Sequence, residues 1–420
     1  MIAIAVGIAA FIISIARILV TNSSALSTLV WAEDGLFPLC VKAHNVVSCT
    51  VDPFAGYFLF LPRIVAWPVS LFPVSTWPAV TNVTAGLLAA LASAAIYLLL
   101  RRRGVGLVTS ILVSLLPVLA PIMGFEAINA IGSSYMLLVV VAALALCLPP
   151  QGKFPTVLYG VMALITALTI PSSVALLIPL IVLAWRRMIP RRSGLIVGAL
   201  LVAGLIVQAV TALTAENQRQ VSVSIDSLRA WAEAMPTAVL TTWPSSTELL
   251  PSGQLGLGAA LPFAGIGIAL VVIVAALGIW LAVRGDGIAT GCGLLLLVGL
   301  GLGALPAIAG YANNRYYVLP LLLWTAALLI GLDHVINWRT NWVMGAIAVV
   351  LVVLWIPSFG ASAFRGNAEP QWPAMLANAQ AACEKDPTAP ATVTFTPNWP
   401  FADAIFAGPT SNVVPCRVIR

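Results

Sequence analysis

Charge is the scarcest property of this sequence: Asp, Glu, Lys and Arg make up 8% of its 420 residues, whereas 61% are hydrophobic and the mean hydropathy is +1.04. A soluble domain carries about 25% charged residues, so an ordinary water-exposed globule is excluded and the chain reads as a polytopic membrane protein. Histidine is nearly absent. With His44 and His334 alone, and no CxxC or HExxH spacing, an imidazole-rich metal centre is excluded. There is no basic domain either. The Lys and Arg residues stand in short clusters between apolar runs, a pattern that topology explains and that excludes nucleic acid as a partner. The opening MIAIAVGIAAFIISIARILV lacks the basic leading region of a secretory signal, and no clear small-residue cleavage pattern follows it, so it reads as a retained first span.

What the sequence does have is apolar runs of roughly 17 to 25 residues, each able to cross a hydrocarbon layer about 30 Å thick. They lie near 2–20, 77–100, 105–122, 134–149, 154–170, 172–186, 194–214, 258–283, 287–309, 317–333 and 342–357. This predicts an all-α bundle of about eleven transmembrane helices. The runs 154–170 and 172–186 are short, meet at TIPSS and read equally as one broken hairpin.

Basic clusters follow alternate runs: Arg101 to Arg103, Lys153, the stretch WRRMIPRR at 185–192, Arg284 and Arg339. The positive-inside rule turns these to the cytoplasm, with the N-terminus inside and the C-terminus outside a plasma membrane. On that assignment the inner loops hold ten Lys/Arg and two acids, Asp286 and Asp333, and the remaining twelve acids fall on or near the outer side. The long connections 21–76 and 215–257 and the tail 358–420 are then extracytoplasmic, so soluble chemistry belongs at the outer face. The expected organisation is a transmembrane domain over 1–357 and a small outer cap over 358–420. Of six cysteines, Cys40 and Cys49 share the first outer loop and Cys383 and Cys416 share the tail. Even numbers in oxidising segments predict two local disulfides.

The first outer loop contains LFPLCVKAHNVV and YFLFLPRIVAWPVSLF, mixed apolar and aromatic stretches too short or too Pro-broken to span, as expected of helices lying in the interface. Trp31, Trp67 and Trp77 suit the headgroup level. The second long loop is expected to hold another interfacial helix around SIDSLRAWAEAMPTAVL, with Ser224 as its cap. Arg315 stands in GYANNRYYVLP among Tyr311, Asn313, Asn314, Tyr316 and Tyr317, where a guanidinium either anchors at the interface or meets a lipid phosphate. Glu126 either lines the same cavity or faces water, and Arg17 reads as snorkelling or as a substrate contact.

The sharpest feature is the adjacent pair Glu33 and Asp34 in LVWAEDGLFPLC, just beyond the first span. Such a pair is either solvated at a helix start, where acids are favoured, or put to use. The order of one span, then a long outer loop opening on AEDG at 32–35 with GYFLFLPR at 56–63 behind it, then many spans with short inner loops, resembles the GT-C superfamily of membrane glycosyltransferases. Those enzymes take sugars from polyprenyl-phosphate or polyprenyl-diphosphate donors.

The resemblance implies an inverting transfer from a polyprenyl-phosphate sugar to a glycan or glycolipid acceptor of the cell envelope, with a loop carboxylate as general base. On that reading Asp34 takes the acceptor proton, Glu33 orients the acceptor or a basic neighbour, and Arg63, Arg315, His44 and Lys42 receive the donor phosphate. Tyr57, Asp52, Glu126, Tyr311, Asn313, Asn314 and Tyr316 are the expected substrate contacts. Some relatives hold a divalent metal at such carboxylates; Asp52 is the nearest third carboxylate here, and the question of a metal stays open. The rival readings are a transporter or flippase of lipid-linked sugars, which would show paired halves and midplane charges that are not seen here, and a polymerase or ligase acting on lipid-diphosphate glycans.

Overall fold

A computed structural model describes residues 1–31, 33–54, 56–124, 127–150, 155–214, 225–239, 264–309, 315–336, 340–360, 371–393 and 413–419. These residues are almost wholly helical. Helix α1 (Ile2–Thr21) leads through the single turn α2 (Ala25–Thr28) into α3 (Glu33–Ala43), α4 (Val46–Val51) and α5 (Phe60–Ser70). Then come α6 (Trp77–Arg102), α7 (Leu107–Leu119), α8 (Tyr135–Cys147), α9 (Thr156–Thr169), α10 (Leu177–Trp185) and α11 (Arg191–Thr214). The series continues with α12 (Ile225–Thr237), α13 (Ala264–Arg284), α14 (Gly287–Ile308), α15 (Arg315–Ile336) and α16 (Thr340–Trp355). The tail adds α17 (Trp372–Lys385) and the antiparallel strands β1 (Pro390–Thr392) and β2 (Val413–Pro415), with Ala391 opposite Val414.

Among the described residues, seven helices are long and apolar enough to cross a membrane: 2–21, 74–102, 107–124, 191–214, 265–284, 287–308 and 316–336. The apolar runs at 135–147, 156–169, 171–185 and 342–358 form shorter helices. One cause is visible at TIPSS. Ile170 adopts an extended conformation (φ −143°, ψ 124°), and a 3-10 turn over Pro171–Leu176 precedes α10, as expected where proline removes a helical donor. Protein buries only 17% of the most apolar stretch of α13 and 22% of that of α11. Side chains such as Ile206, Leu213, Ile273 and Trp280 are left exposed, which a lipid environment accommodates and water does not. Where helices do meet, small residues let them close. A Cβ on Gly293 would stand 2.6 Å from the carbonyl oxygen of Gly278, the close approach characteristic of membrane helix pairs.

The molecule has two unlike ends. At one, both expected disulfides are formed, Cys40 with Cys49 and Cys383 with Cys416. There the first connection and the tail share one apolar core: Leu36, Phe37 and Leu39 of α3 cluster with Trp372 and Met375 of α17 and with Val414 and Ile419. Trp372 stacks on Trp77 at 5.6 Å and donates its indole N–H to the Val74 carbonyl at 2.9 Å. Of the three tryptophans expected at the headgroup level, Trp31 and Trp77 are buried in protein and Trp67 is exposed. An aromatic ring near an interface serves a core as readily as a headgroup layer. Trp67 belongs to an exposed apolar stripe on α5 with Ile64 and Leu71, spaced as one helix face.

At the other end the basic turns gather. Arg103 donates to the Tyr159 hydroxyl at 2.8 Å, Arg186 donates to the Ala282 carbonyl at 3.1 Å, and Asp333 accepts from the Gly106 amide at 2.7 Å. The helix expected to lie flat in the second long loop is present as α12, but it is docked. Trp231, Ala234 and Met235 are buried, and Trp231 stacks on Tyr317 of α15, whose hydroxyl donates to the Trp231 carbonyl at 3.1 Å. Ser224 lies outside the described residues.

Candidate functional site

The acidic pair opens α3, where the helix dipole favours negative charge. Asp34 is 2% exposed, its amide bonds back to the Trp31 carbonyl at 2.8 Å, and Glu33 is half-buried. Asp34 is therefore no solvated loop residue. Its Oδ1 accepts the backbone N–H of Gly132 at 2.7 Å, a charge-assisted contact when the carboxylate is ionised. Gly132 packs closely against both acids. A Cβ there would stand 3.1 Å from the Glu33 Cβ, 3.3 Å from its Oε2 and 3.5 Å from Asp34 Oδ1. Successive side chains on a helix diverge by about 100°, yet the 131–134 turn passes so close over the first turn of α3 that it touches both acids.

A buried polar chain fixes that turn. Ser14 of α1 donates to Asn129 Oδ1 at 2.9 Å, Asn129 Nδ2 donates to Asn82 Oδ1 at 2.8 Å, and Asn82 Nδ2 donates to the carbonyls of Leu29 and Pro78 at 3.0 and 2.7 Å. Asn129 adopts φ 56°, a left-handed conformation that asparagine tolerates better than most residues. Three side chains from α1, α6 and the 127–134 segment thus hold in register the chain before α3 and the backbone that meets Asp34. Arg17 belongs to the same scaffold. Fully buried, it donates to the carbonyls of Val118, Ala120 and Phe359 at 2.8, 3.0 and 2.7 Å, so it binds chain ends together rather than snorkelling.

Arg63, on α5, faces α3 and α4. Its guanidinium lies over the Phe37 ring at 5.2 Å, its Nη1 donates to the Cys49 carbonyl, and the residue is 2% exposed. Nε and Nη2 are buried without a hydrogen-bond partner. Burial pushes its pKa down to about 10, against the pull of Asp52 and Tyr57. Phe37, Phe54 and Tyr57 form an edge-to-face series at 5.4 and 6.0 Å beside it, set by a tight turn in which Gly56 takes φ 83° and Phe54 and Tyr57 exchange backbone hydrogen bonds. Gln208 of α11 grips the start of this segment, accepting from the Phe58 N–H at 2.8 Å and donating to the Phe58 carbonyl at 2.7 Å.

The other expected residues divide. Asp52 and Tyr57 are half-buried and stand beside Arg63. Lys42 and His44 are exposed at the far end of α3, about 12 Å along the axis from Asp34, and do not join the acids. Tyr316 is half-buried near the start of α15. Glu126, Tyr311, Asn313, Asn314 and the Arg315 side chain lie outside the described residues. Among the described residues, no three His, Cys, Asp or Glu side chains are grouped to hold a metal ion. Sequence reasoning missed Gly132, Asn129, Asn82 and Gln208. The signal available was a polar side chain within or beside an apolar run, as at Gln208 and Asn82, because such a group needs an internal partner. Compared with known proteins, the chain matches no family model and no curated protein.

Proposed function

We propose that the protein is an inverting glycosyltransferase of the GT-C type, transferring a sugar from a polyprenyl-phosphate donor to a glycan or glycolipid acceptor of the cell envelope at the outer face of the plasma membrane. One observation carries the reading: Asp34, a carboxylate buried at the edge of a membrane bundle, is fixed by a backbone N–H and has a second acid, Glu33, at its side. In the proposed reaction the acceptor hydroxyl attacks the anomeric carbon, its proton passes to Asp34, and the bond to the lipid phosphate breaks with the electron pair leaving on the phosphate. A positioned base contributes about 10²–10⁴-fold to such a step.

Other features support the reading without deciding it. Both disulfides fall at the end away from the arginine turns, as expected if that end meets an oxidising exterior and the arginines meet the cytoplasm. Seven helices are long and apolar enough to cross a membrane, and four shorter apolar helices accompany them, compatible with a many-span bundle of this kind. Arg63 offers two unsatisfied donor nitrogens, Nε and Nη2, that phosphate oxygens would satisfy.

The test is turnover of a labelled polyprenyl-phosphate sugar by purified protein, read as release of polyprenyl phosphate. The Asp34→Asn variant keeps an acceptor for the Gly132 N–H and should lose activity. Full turnover in both Asp34→Asn and Glu33→Gln removes the assignment. Movement of the lipid-linked sugar across vesicles without covalent change would favour a flippase instead.

A further inference from the structure

Topology explains why the arginine end is basic, but not why particular arginines occupy the positions they do. Arg101, Arg102 and Arg284 sit in the last turns of α6 and α13, where the helix dipole favours positive charge. Arg191, at the opposite end of a helix, has no such reason, and Arg187 takes a backbone site that favours glycine.

Arg187 follows α10 in a left-handed conformation, φ 60°. Its N–H bonds to the Ala184 carbonyl at 3.2 Å and the Met188 N–H to the Leu183 carbonyl at 2.8 Å, the paired bonds of a Schellman cap, in which glycine usually takes the left-handed site. The same protein builds the same cap after α6 with glycine: Gly104 has φ 80°, and Gly104 and Val105 bond back to Arg101 and Leu100 at 3.2 and 3.1 Å. At 187 an arginine stands in glycine's place despite the crowding of its Cβ. Arg191 and Arg192 then open α11, whose first turn holds no acid, so two cations meet the positive end of a long helix dipole. No Asp or Glu occurs anywhere between Glu126 and Glu216.

These charges border one hollow of about 770 Å³, walled by Trp185, Arg187, Met188, Ile189, Pro190 and Arg191. Gly194 lets α11 close on it, since a Cβ there would stand 3.2 Å from Ile189. Trp185 is 68% exposed at the rim, and the exposed apolar residues Ile181 and Leu195 lie one turn further into each helix. A phosphate at the rim with hydrocarbon running down an apolar wall is the shape of a lipid.

We propose that this hollow is a binding site for the phosphate headgroup of an anionic phospholipid, held by Arg187, Arg191 and the amino end of α11, with its acyl chains against α10 and α11. The site lies at the end opposite Asp34 and does not depend on the glycosyltransferase reading.

The test is lipid retention. Purified protein is exchanged into nanodiscs of equimolar phosphatidylglycerol and phosphatidylcholine, extracted, and its bound lipids counted by native mass spectrometry. Phosphatidylglycerol should be retained preferentially. Arg187→Gly should weaken that retention about fivefold, the size expected of one basic residue at an anionic surface. Because glycine suits the cap, the variant should melt no lower than the parent in lipid-free detergent. Arg191→Gln should weaken retention similarly, and Arg102→Gln should not. The proposal fails if Arg187→Gly retains phosphatidylglycerol like the parent, if Arg102→Gln loses as much, or if millimolar inorganic phosphate displaces the lipid, which would mark a site for a soluble anion.

Discussion

The disulfide end and the arginine end handle charge in opposite ways. At the first, Asp34, Arg17 and Arg63 are sunk in protein, and backbone amides or carbonyls supply partners. At the second, Arg101, Arg102, Arg187, Arg191 and Arg192 are exposed at helix ends, and Arg103, sunk against Tyr159, is the counter-example. A buried charge costs several kcal/mol unless its partners are already in place, so the first end had to be built from long connections, two disulfides and a tail sharing one core. An exposed charge requires no such scaffold.

The largest effect that would break this comparison is at Asp34. If the disulfide end is built to hold a working carboxylate, Asp34→Asn should lower turnover about 10²–10⁴-fold while the melting temperature stays near that of the parent. A variant that keeps turnover but melts much lower would make Asp34 a structural residue, and the two ends would then differ only in packing.

The disulfides come next. Cys40 and Cys49 are 9 residues apart in sequence, and Cys383 and Cys416 are 33 apart. Loop-closure entropy predicts that losing either costs about 2–4 kcal/mol, the longer loop costing about 1 kcal/mol more. Equilibrium unfolding of Cys49→Ala and Cys416→Ala variants measures the order. Turnover should discriminate further, because the Cys49 carbonyl holds Arg63, whereas the second disulfide reaches the site only through the core it shares with α3.

Much of this architecture was legible in the sequence, for a physical reason: hydropathy marks a segment for burial wherever its partners come from. The seven long apolar helices and the helical stretches within 36–47 and 57–72 could be read that way, and the even number of cysteines in each segment yielded both pairings. Partners could not be read that way. Gly132 meets Asp34 across 98 positions and Ser14 meets Asn129 across 115, and no local pattern encodes those distances. Identity also failed where one residue type serves two environments. Arg101 and Arg103 are neighbours in one basic cluster, yet the first is exposed and the second is 4% exposed against Tyr159. Lys42 and His44 shared a loop with the acids but lie a helix length away.

Gly132→Ala should act on both properties of the disulfide end at once. Its Cβ would crowd Glu33 and touch Asp34, and overpacking of this kind costs about 1–3 kcal/mol. The displaced turn should also lengthen the bond from its N–H to Asp34, so turnover should fall by more than the loss of folded protein accounts for. Turnover per folded molecule, with folding read by thermal melting, separates the two.

The smallest effect tests how firmly the arginine end is tied together. Helix α7 begins without a side-chain cap of its own; in its place the Asp333 carboxylate, from α15, accepts from the Gly106 N–H at 2.7 Å and the Thr109 hydroxyl at 2.9 Å. The absence of a side chain at Gly106 admits this approach, because a Cβ would stand 2.4 Å from Asp333 Oδ1 and move that carboxylate aside. Asp333→Ala should cost about 1 kcal/mol, the usual worth of a helix cap, since the half-buried site lets water replace the lost acceptor. A loss of about 3 kcal/mol or more would mean that α7 and α15 are locked together as firmly as the chains around Asp34, and the contrast between the ends would narrow to one of surface charge.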